Sequence, residues 1–200
     1  SQLLIYPFLQ LVDLMTPSYQ LYHAQYSGVA LLDPQSIAKW MLLYLGLDPS
    51  LVPHILSNRH VSPDVHFVAR RFVPHATLPS ALKHEYYQPP ALDGLNRSHF
   101  SDSAAVERLQ DHLLNPDFAP LMQKSLDNMP QTYLITCEYD ILRDEGFWYA
   151  QRLREAGVAV THRHYESGFH AMINFHTEIE VGQRALEQLA GYLRKVLRDS

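Results

Sequence analysis

Short apolar runs and helical stripes alternate along this chain, and their order predicts the architecture. Leu3-Leu4-Ile5-Tyr6 is an apolar run stopped by Pro7, the pattern of a strand buried on both faces in a parallel sheet. Thr132–Thr136 and a run that starts at Val158-Ala159-Val160 and reaches about Tyr165 read as two more such strands. Between them, Asp144-Glu145 open an amphipathic helix with Phe147, Ala150 and Leu153 on one face and Gly157 as its stop. Leu186, Leu189, Leu193 and Leu197 recur at helical spacing within 177–198 and predict a closing helix. Strand, helix, strand, helix implies βαβ units, hence an α/β fold with parallel strands and flanking helices.

The first half is less periodic. Residues 11–30 read as loop with a little helix. Asp33-Pro34 supplies an N-cap followed by proline at the first helical position, and the helix it opens stops at Gly46. That helix carries six consecutive apolar residues, Trp40 to Leu45, more than one stripe accommodates. Packing on two sides is the favoured expectation, with a face offered to a ligand or bilayer as the alternative. Residues 47–100 read as short helices and loops, and 103–114 as a helix ended by Asn115-Pro116. The expected organisation is one partial α/β domain over 1–200, in which 11–115 is a variable, cap-like helical insertion and 130–200 the βαβα end.

Composition narrows the function classes. A 46% hydrophobic chain of 200 residues can bury a globular core, and a net charge of −5 without a basic run excludes a nucleic-acid surface. Among the residues no run reaches the ~18 apolar positions of a membrane span. The single cysteine, Cys137, lies in an apolar run and reads as a buried structural thiol. His162 and His164 alternate onto one strand face, but no third ligand stands at metal-binding spacing, so neither a metal nor another cofactor is expected. Asn96-Arg97-Ser98 is a glycosylation sequon.

In open α/β sheets reactive groups collect beyond the carboxyl ends of the strands. Glu138-Tyr139-Asp140 follows one strand directly, and Glu166-Ser167-Gly168-Phe169-His170 follows the next. An Asp that accepts from one imidazole nitrogen leaves the other free as a general base, so Asp140 and His170 are the candidate pair. Three rivals stay open at this point. Asp140 could cap the next turn, Asp144 could be the acid rather than a helix-dipole partner, and His176 could be the base.

The stretch Glu138-Tyr139-Asp140-Ile141-Leu142-Arg143-Asp144-Glu145-Gly146, then Ala156-Gly157-Val158 and Gly168-Phe169-His170, resembles the end of the hormone-sensitive-lipase-like esterases. These are α/β-hydrolases, and within them the chain resembles the arylacetamide deacetylase and neutral cholesterol ester hydrolase branch. Leu4-Ile5-Tyr6-Pro7 with Thr16-Pro17-Ser18-Tyr19-Gln20 adds to the likeness, which is poor over 35–115. The resemblance implies a serine carboxylesterase or lipase acting on apolar esters or arylacetamides, with Asp140 as triad acid and His170 as base. It also implies an endoplasmic-reticulum location on the luminal side of the membrane, near it through an N-terminal anchor that these residues do not include. Acyl-chain contacts are expected from the apolar helix 34–45.

Two departures accompany the likeness. Ala171 stands where the family has glycine after its histidine. The family's nucleophile sits in a Gly-x-Ser-x-Gly elbow, whereas the eight glycines here, at 28, 46, 94, 146, 157, 168, 182 and 191, include no two that are four apart. The simplest expectation is a fragment, inactive alone and at most a binding module. Its opening strand would lack a neighbour, and that bare apolar edge invites self-association.

Overall fold

The structure is a computed structural model and describes residues 1–89 and 104–198. Its centre is a parallel sheet of three strands, β1 (Gln2–Ile5), β2 (Thr132–Tyr139) and β3 (Val160–Phe169), in the order β1-β2-β3. Leu4 pairs with Leu134, and Leu134 with His162, so the carboxyl ends lie on one side. β1 is at an edge, and among the described residues its outer side meets no strand.

The period of two along β2 sorts its side chains between two cores. Leu134 joins the larger apolar core, which extends through the helical first half, and Thr136 lies on the same face. Tyr133, Ile135 and Cys137 face the smaller core under the closing helix, with Tyr6, Met172, Ala185 and Leu189. Cys137 is fully buried, and its Sγ lies 3.7 Å from Met172 Sδ, as expected of a structural thiol.

Seven helices frame the sheet among the described residues: α1 (Pro17–Leu21, continuing as a π-turn through Tyr26), α2 (Pro34–Tyr44), α3 (Val52–Leu56), α4 (Pro63–Ala69), α5 (Ala104–Leu113), α6 (Arg143–Glu155) and α7 (Glu180–Arg198). All except α6 and α7 lie in the connection from β1 to β2. α2 begins as its sequence dictates, with Asp33 Oδ1 accepting from the Ser36 N–H at 2.9 Å. It ends where Gly46 takes φ +65° and Leu47 N–H reaches back to the Leu42 carbonyl.

The structure corrects three sequence expectations. α2 is not packed on two sides: it buries Ile37, Ala38 and Leu42 and leaves Trp40, Leu43 and Tyr44 at 51%, 54% and 74% exposure. Only one flank meets neighbouring helices, so an apolar run wider than one stripe spills into solvent. β3 starts at Val160 rather than Val158, because Val158 N–H closes the end of α6 on the Leu153 carbonyl. It runs to Phe169, past Tyr165, through an irregularity that sets Cys137 opposite Tyr165 but Tyr139 opposite Phe169. The closing helix starts at Glu180, with Ala185 and Leu189 buried and Leu197 75% exposed. The Asn96 sequon lies outside the described residues.

Candidate active site

Asp140 is the first residue beyond β2, and His170 the first beyond β3. Adjacent parallel strands ending on one side bring them together: His170 Nδ1 lies 2.9 Å from Asp140 Oδ2. The Asp140 side chain is 1% exposed and that of His170 is 25% exposed. An acceptor-only carboxylate sets the tautomer, so Nδ1–H donates to Asp140 and Nε2 keeps its lone pair. Among the described residues Nε2 meets no hydrogen-bond partner.

The turn-capping alternative for Asp140 is also realised, on its other oxygen. Oδ1 accepts from the Leu142 N–H at 2.9 Å, and the Asp140 carbonyl from the Arg143 N–H at 3.1 Å. The cap fixes the carboxylate, and the free oxygen orients the imidazole.

The other rivals point elsewhere. Asp144 is fully buried; its Oδ1 accepts from Arg143 Nε at 2.8 Å and its Oδ2 from the Ser18 N–H at 2.7 Å. It therefore ties α6 to α1 rather than serving a helix dipole from the surface. His176 is exposed and donates from Nδ1 to the Ile173 carbonyl at 3.1 Å.

The residues around Asp140 form one buried polar girdle. Glu145 accepts from the Leu9 N–H at 2.6 Å, and burial holds its carboxyl well above the usual range. Arg143, fully buried, donates to Glu138 at 2.5 Å and to the Leu82 carbonyl at 2.8 Å. Glu138 also meets His84 at 2.7 Å and His164 at 3.1 Å. Burial alone would raise the Glu138 carboxyl, but the bonds from His164 and His84 and the Arg143 charge outweigh it and bring it to about 2. His162 and His164, the notional metal pair, share the Thr136 hydroxyl at 2.8 and 3.1 Å and stand edge-on to Phe147.

Two positions near His170 are set by sterics. At Gly168 a Cβ would lie 2.8 Å from both Met172 Sδ and Tyr165 Cβ, so only glycine lets β3 close over Cys137. Ala171, in contrast, takes φ +66°, the left-handed region that glycine fills without cost. The glycine that the resemblance implies after the histidine thus has a backbone reason.

Sequence reading missed Tyr6. Its ring packs against His170 with centroids 5.3 Å apart, and its hydroxyl accepts from the Ile173 N–H at 3.2 Å. The only available signal was its place at the carboxyl end of β1, where functional side chains collect.

Beside the pair lies an apolar pocket of about 430 Å³, walled by Tyr26, Val29, Ala30, Leu31, Tyr139, Phe169 and Phe175. Residues 26–31 form its outer wall. No residue of α2, where acyl-chain contacts were expected, lines this pocket.

A sequence model of the α/β-hydrolase fold family matches residues 72–174, just over half the chain. The chain belongs to that family. Two relatives extend the likeness across nearly all of this α/β-hydrolase chain. Neutral cholesterol ester hydrolase 1 of Rattus norvegicus is 35% identical over 200 residues, covering 96% of this chain and 46% of its own length. Arylacetamide deacetylase of Oryctolagus cuniculus is 34% identical over 199 residues, with 98% and 46% covered. The chain spans about half the length of the curated relatives it matches. Among solved structures, an esterase from Rhizomucor miehei superposes with a TM-score of 0.56 at 20% identity, covering 99% of this chain and 42% of that one. The Pyrobaculum calidifontis esterase gives 0.53 at 24%, with 98% and 43% covered. At these identities the two structures speak for the shared α/β-hydrolase fold alone.

Proposed function

We infer that this chain supplies the acid and the base of a serine carboxylesterase or lipase. His170 Nε2 takes the proton of a serine hydroxyl as it attacks the ester carbonyl. It then returns that proton to the leaving alcohol, and water repeats the cycle on the acyl-enzyme. Asp140 holds the ring in the required tautomer and stabilises the imidazolium. The observation that carries this reading is the 2.9 Å Asp140–His170 bond with Nε2 left open beside an apolar pocket. That pocket suits apolar carboxylic esters or arylacetamides, in keeping with the names of the relatives. Residues 11–115, which contribute the pocket wall at 26–31, act as the cap. By family resemblance the reaction takes place at the luminal face of the endoplasmic reticulum membrane.

One observation favours a second reading of the 200 residues taken alone, an inactive module that at most binds. They contain no Gly-x-Ser-x-Gly, and a base without nucleophile or oxyanion donors does not run acyl transfer. The two readings part in one experiment. The chain alone is expected to hydrolyse a short nitrophenyl ester at background rate. Joined behind the amino-terminal half of rat neutral cholesterol ester hydrolase 1, it is expected to turn that ester over. A serine-directed phosphonate and His170→Ala should abolish this turnover, and Asp140→Asn should lower kcat by about 10³–10⁴. Turnover of the chimera that survives His170→Ala would sink the first reading; turnover by the chain alone would sink the second. Self-association along the bare edge of β1 belongs to the same reading of the isolated chain, and sedimentation of a monodisperse monomer would count against it.

A further inference from the structure

A second cavity, of about 600 Å³, lies in the helical half and shares no lining residue with the pocket beside His170. Its walls at Val73, Pro74 and Ala76 are apolar, while Arg70, Arg71 and Lys83 bring three cations to it. Among the described residues none of the three has a carboxylate within ion-pair distance. The one acid in the lining, Asp13, is already engaged, by His75 Nε2 at 2.8 Å and the Met15 N–H at 2.7 Å. The guanidinium of Arg70 lies 4.3 Å over the Phe67 ring and that of Arg71 4.7 Å over Phe72. Stacking of this kind orients a guanidinium while leaving its N–H edge open to an anion.

A hydrogen-bonded chain runs along the wall of the same cavity. Asp13 holds His75 by Nε2–H, and His75 Nδ1 meets the Tyr87 hydroxyl at 2.9 Å. With Nε2–H given to Asp13, Nδ1 accepts the Tyr87 O–H, and this bond fixes the Tyr87 ring at the cavity wall.

We propose that this cavity is a binding site for an amphiphilic carboxylate, its apolar body against Val73 and Pro74 and its carboxylate held by Arg70 and Arg71. A planar carboxylate matches the guanidinium fork, and the apolar walls give a bare inorganic anion nothing to bury. The molecule carries its own reporter: the Trp148 ring lies 5.6 Å from His75, and its indole N–H donates to the Pro74 carbonyl at 3.3 Å.

The test is calorimetric titration of the Trp40→Phe chain with octanoate, octanol and inorganic phosphate, with Trp148 emission read in parallel. Octanoate is expected to bind saturably and to shift that emission, and octanol and phosphate to bind at least about tenfold more weakly. Arg70→Ser with Arg71→Ser, both at exposed positions, should weaken octanoate about tenfold or more, whereas Phe169→Ala in the other pocket should not. Binding of octanol or phosphate as tight as octanoate, loss of binding with Phe169→Ala but not with the arginine pair, or no saturable octanoate binding would each overturn the proposal. None of these outcomes bears on Asp140 or His170.

Discussion

Two aspartate–histidine pairs of nearly equal length stand among the described residues, and their surroundings differ. Asp140 and His170 meet at 2.9 Å, Asp13 and His75 at 2.8 Å. Both carboxylates are buried. The difference lies in the second nitrogen. His75 is satisfied on both sides, by Asp13 and Tyr87, and its side chain is only 11% exposed. His170 is 25% exposed, its Nε2 meets no hydrogen-bond partner among the described residues, and its neighbour Phe169 walls an apolar pocket. On the proposed function, a short Asp–His bond is therefore no signature of a general base; what separates the two is the nitrogen that His170 leaves without a partner among the described residues.

Removing each acid should break the symmetry most sharply. Asp13→Ala would orphan His75, the Met15 N–H and the Asn58 amide in a buried site, for a loss of about 3–5 kcal/mol. Asp140→Ala leaves His170 able to turn toward water, so its main structural cost is the Leu142 N–H, about 1–3 kcal/mol. Denaturant unfolding of the two variants should rank them in that order. Equal losses would mean that the two pairs carry the same structural load.

Acid should expose the same contrast through neighbouring histidines. His60, fully buried, donates from Nε2 to the Leu11 carbonyl at 2.6 Å, and burial pushes its pKa down to about 4. It stays neutral in the folded state while the unfolded chain takes up a proton near 6.5. Stability is thus intact above 6.5 and falls as pH drops from there toward 4, by up to about 3 kcal/mol. His162, beside the Asp140 girdle, is also pushed down to about 4 by burial but is not fully buried, so its share is smaller. His60→Gln should flatten the decline between pH 6.5 and 4 more than His162→Gln does, read as unfolding midpoints across that window. The Asp13 carboxyl titrates in a separate, lower window. Burial would raise it, but the His75 bond and charge hold it below its ordinary value, so its stabilising share is lost only at stronger acid.

How much of this was legible in the sequence differs between the two pairs for a physical reason. Asp140 and His170 lie 30 residues apart on consecutive strands of one βαβ unit, so a local rule about parallel strands placed them together. Asp13 and His75 belong to segments joined only by the packing of short helices, and no periodicity reports such an arrangement. The same divide explains α2: its caps were readable from Asp33 and Gly46, but which of its faces would find a neighbour was a tertiary question. It also explains Tyr6, whose contact with His170 spans nearly the whole chain. The length of β3 escaped because Glu166-Ser167-Gly168 looks like a loop, whereas a strand irregularity opposite Cys137–Tyr139 absorbs it.

The smallest effect concerns the backbone beside each pair. Asn58 and Ala171 both take left-handed φ, +52° and +66°. Asn58 uses its side chain there: Oδ1 accepts from the Leu14 N–H at 3.0 Å, and Nδ2 donates to Asp13. Ala171 has nothing to offer in exchange for a Cβ held too close to the following carbonyl, a strain of about 1 kcal/mol. Ala171→Gly should therefore stabilise the chain by up to about 1 kcal/mol, less the extra chain entropy of glycine, while Asn58→Gly destabilises it. Thermal unfolding of both decides the point. A loss on Ala171→Gly would show that the methyl group supports the His170 turn rather than straining it, and the two left-handed positions would then be alike after all.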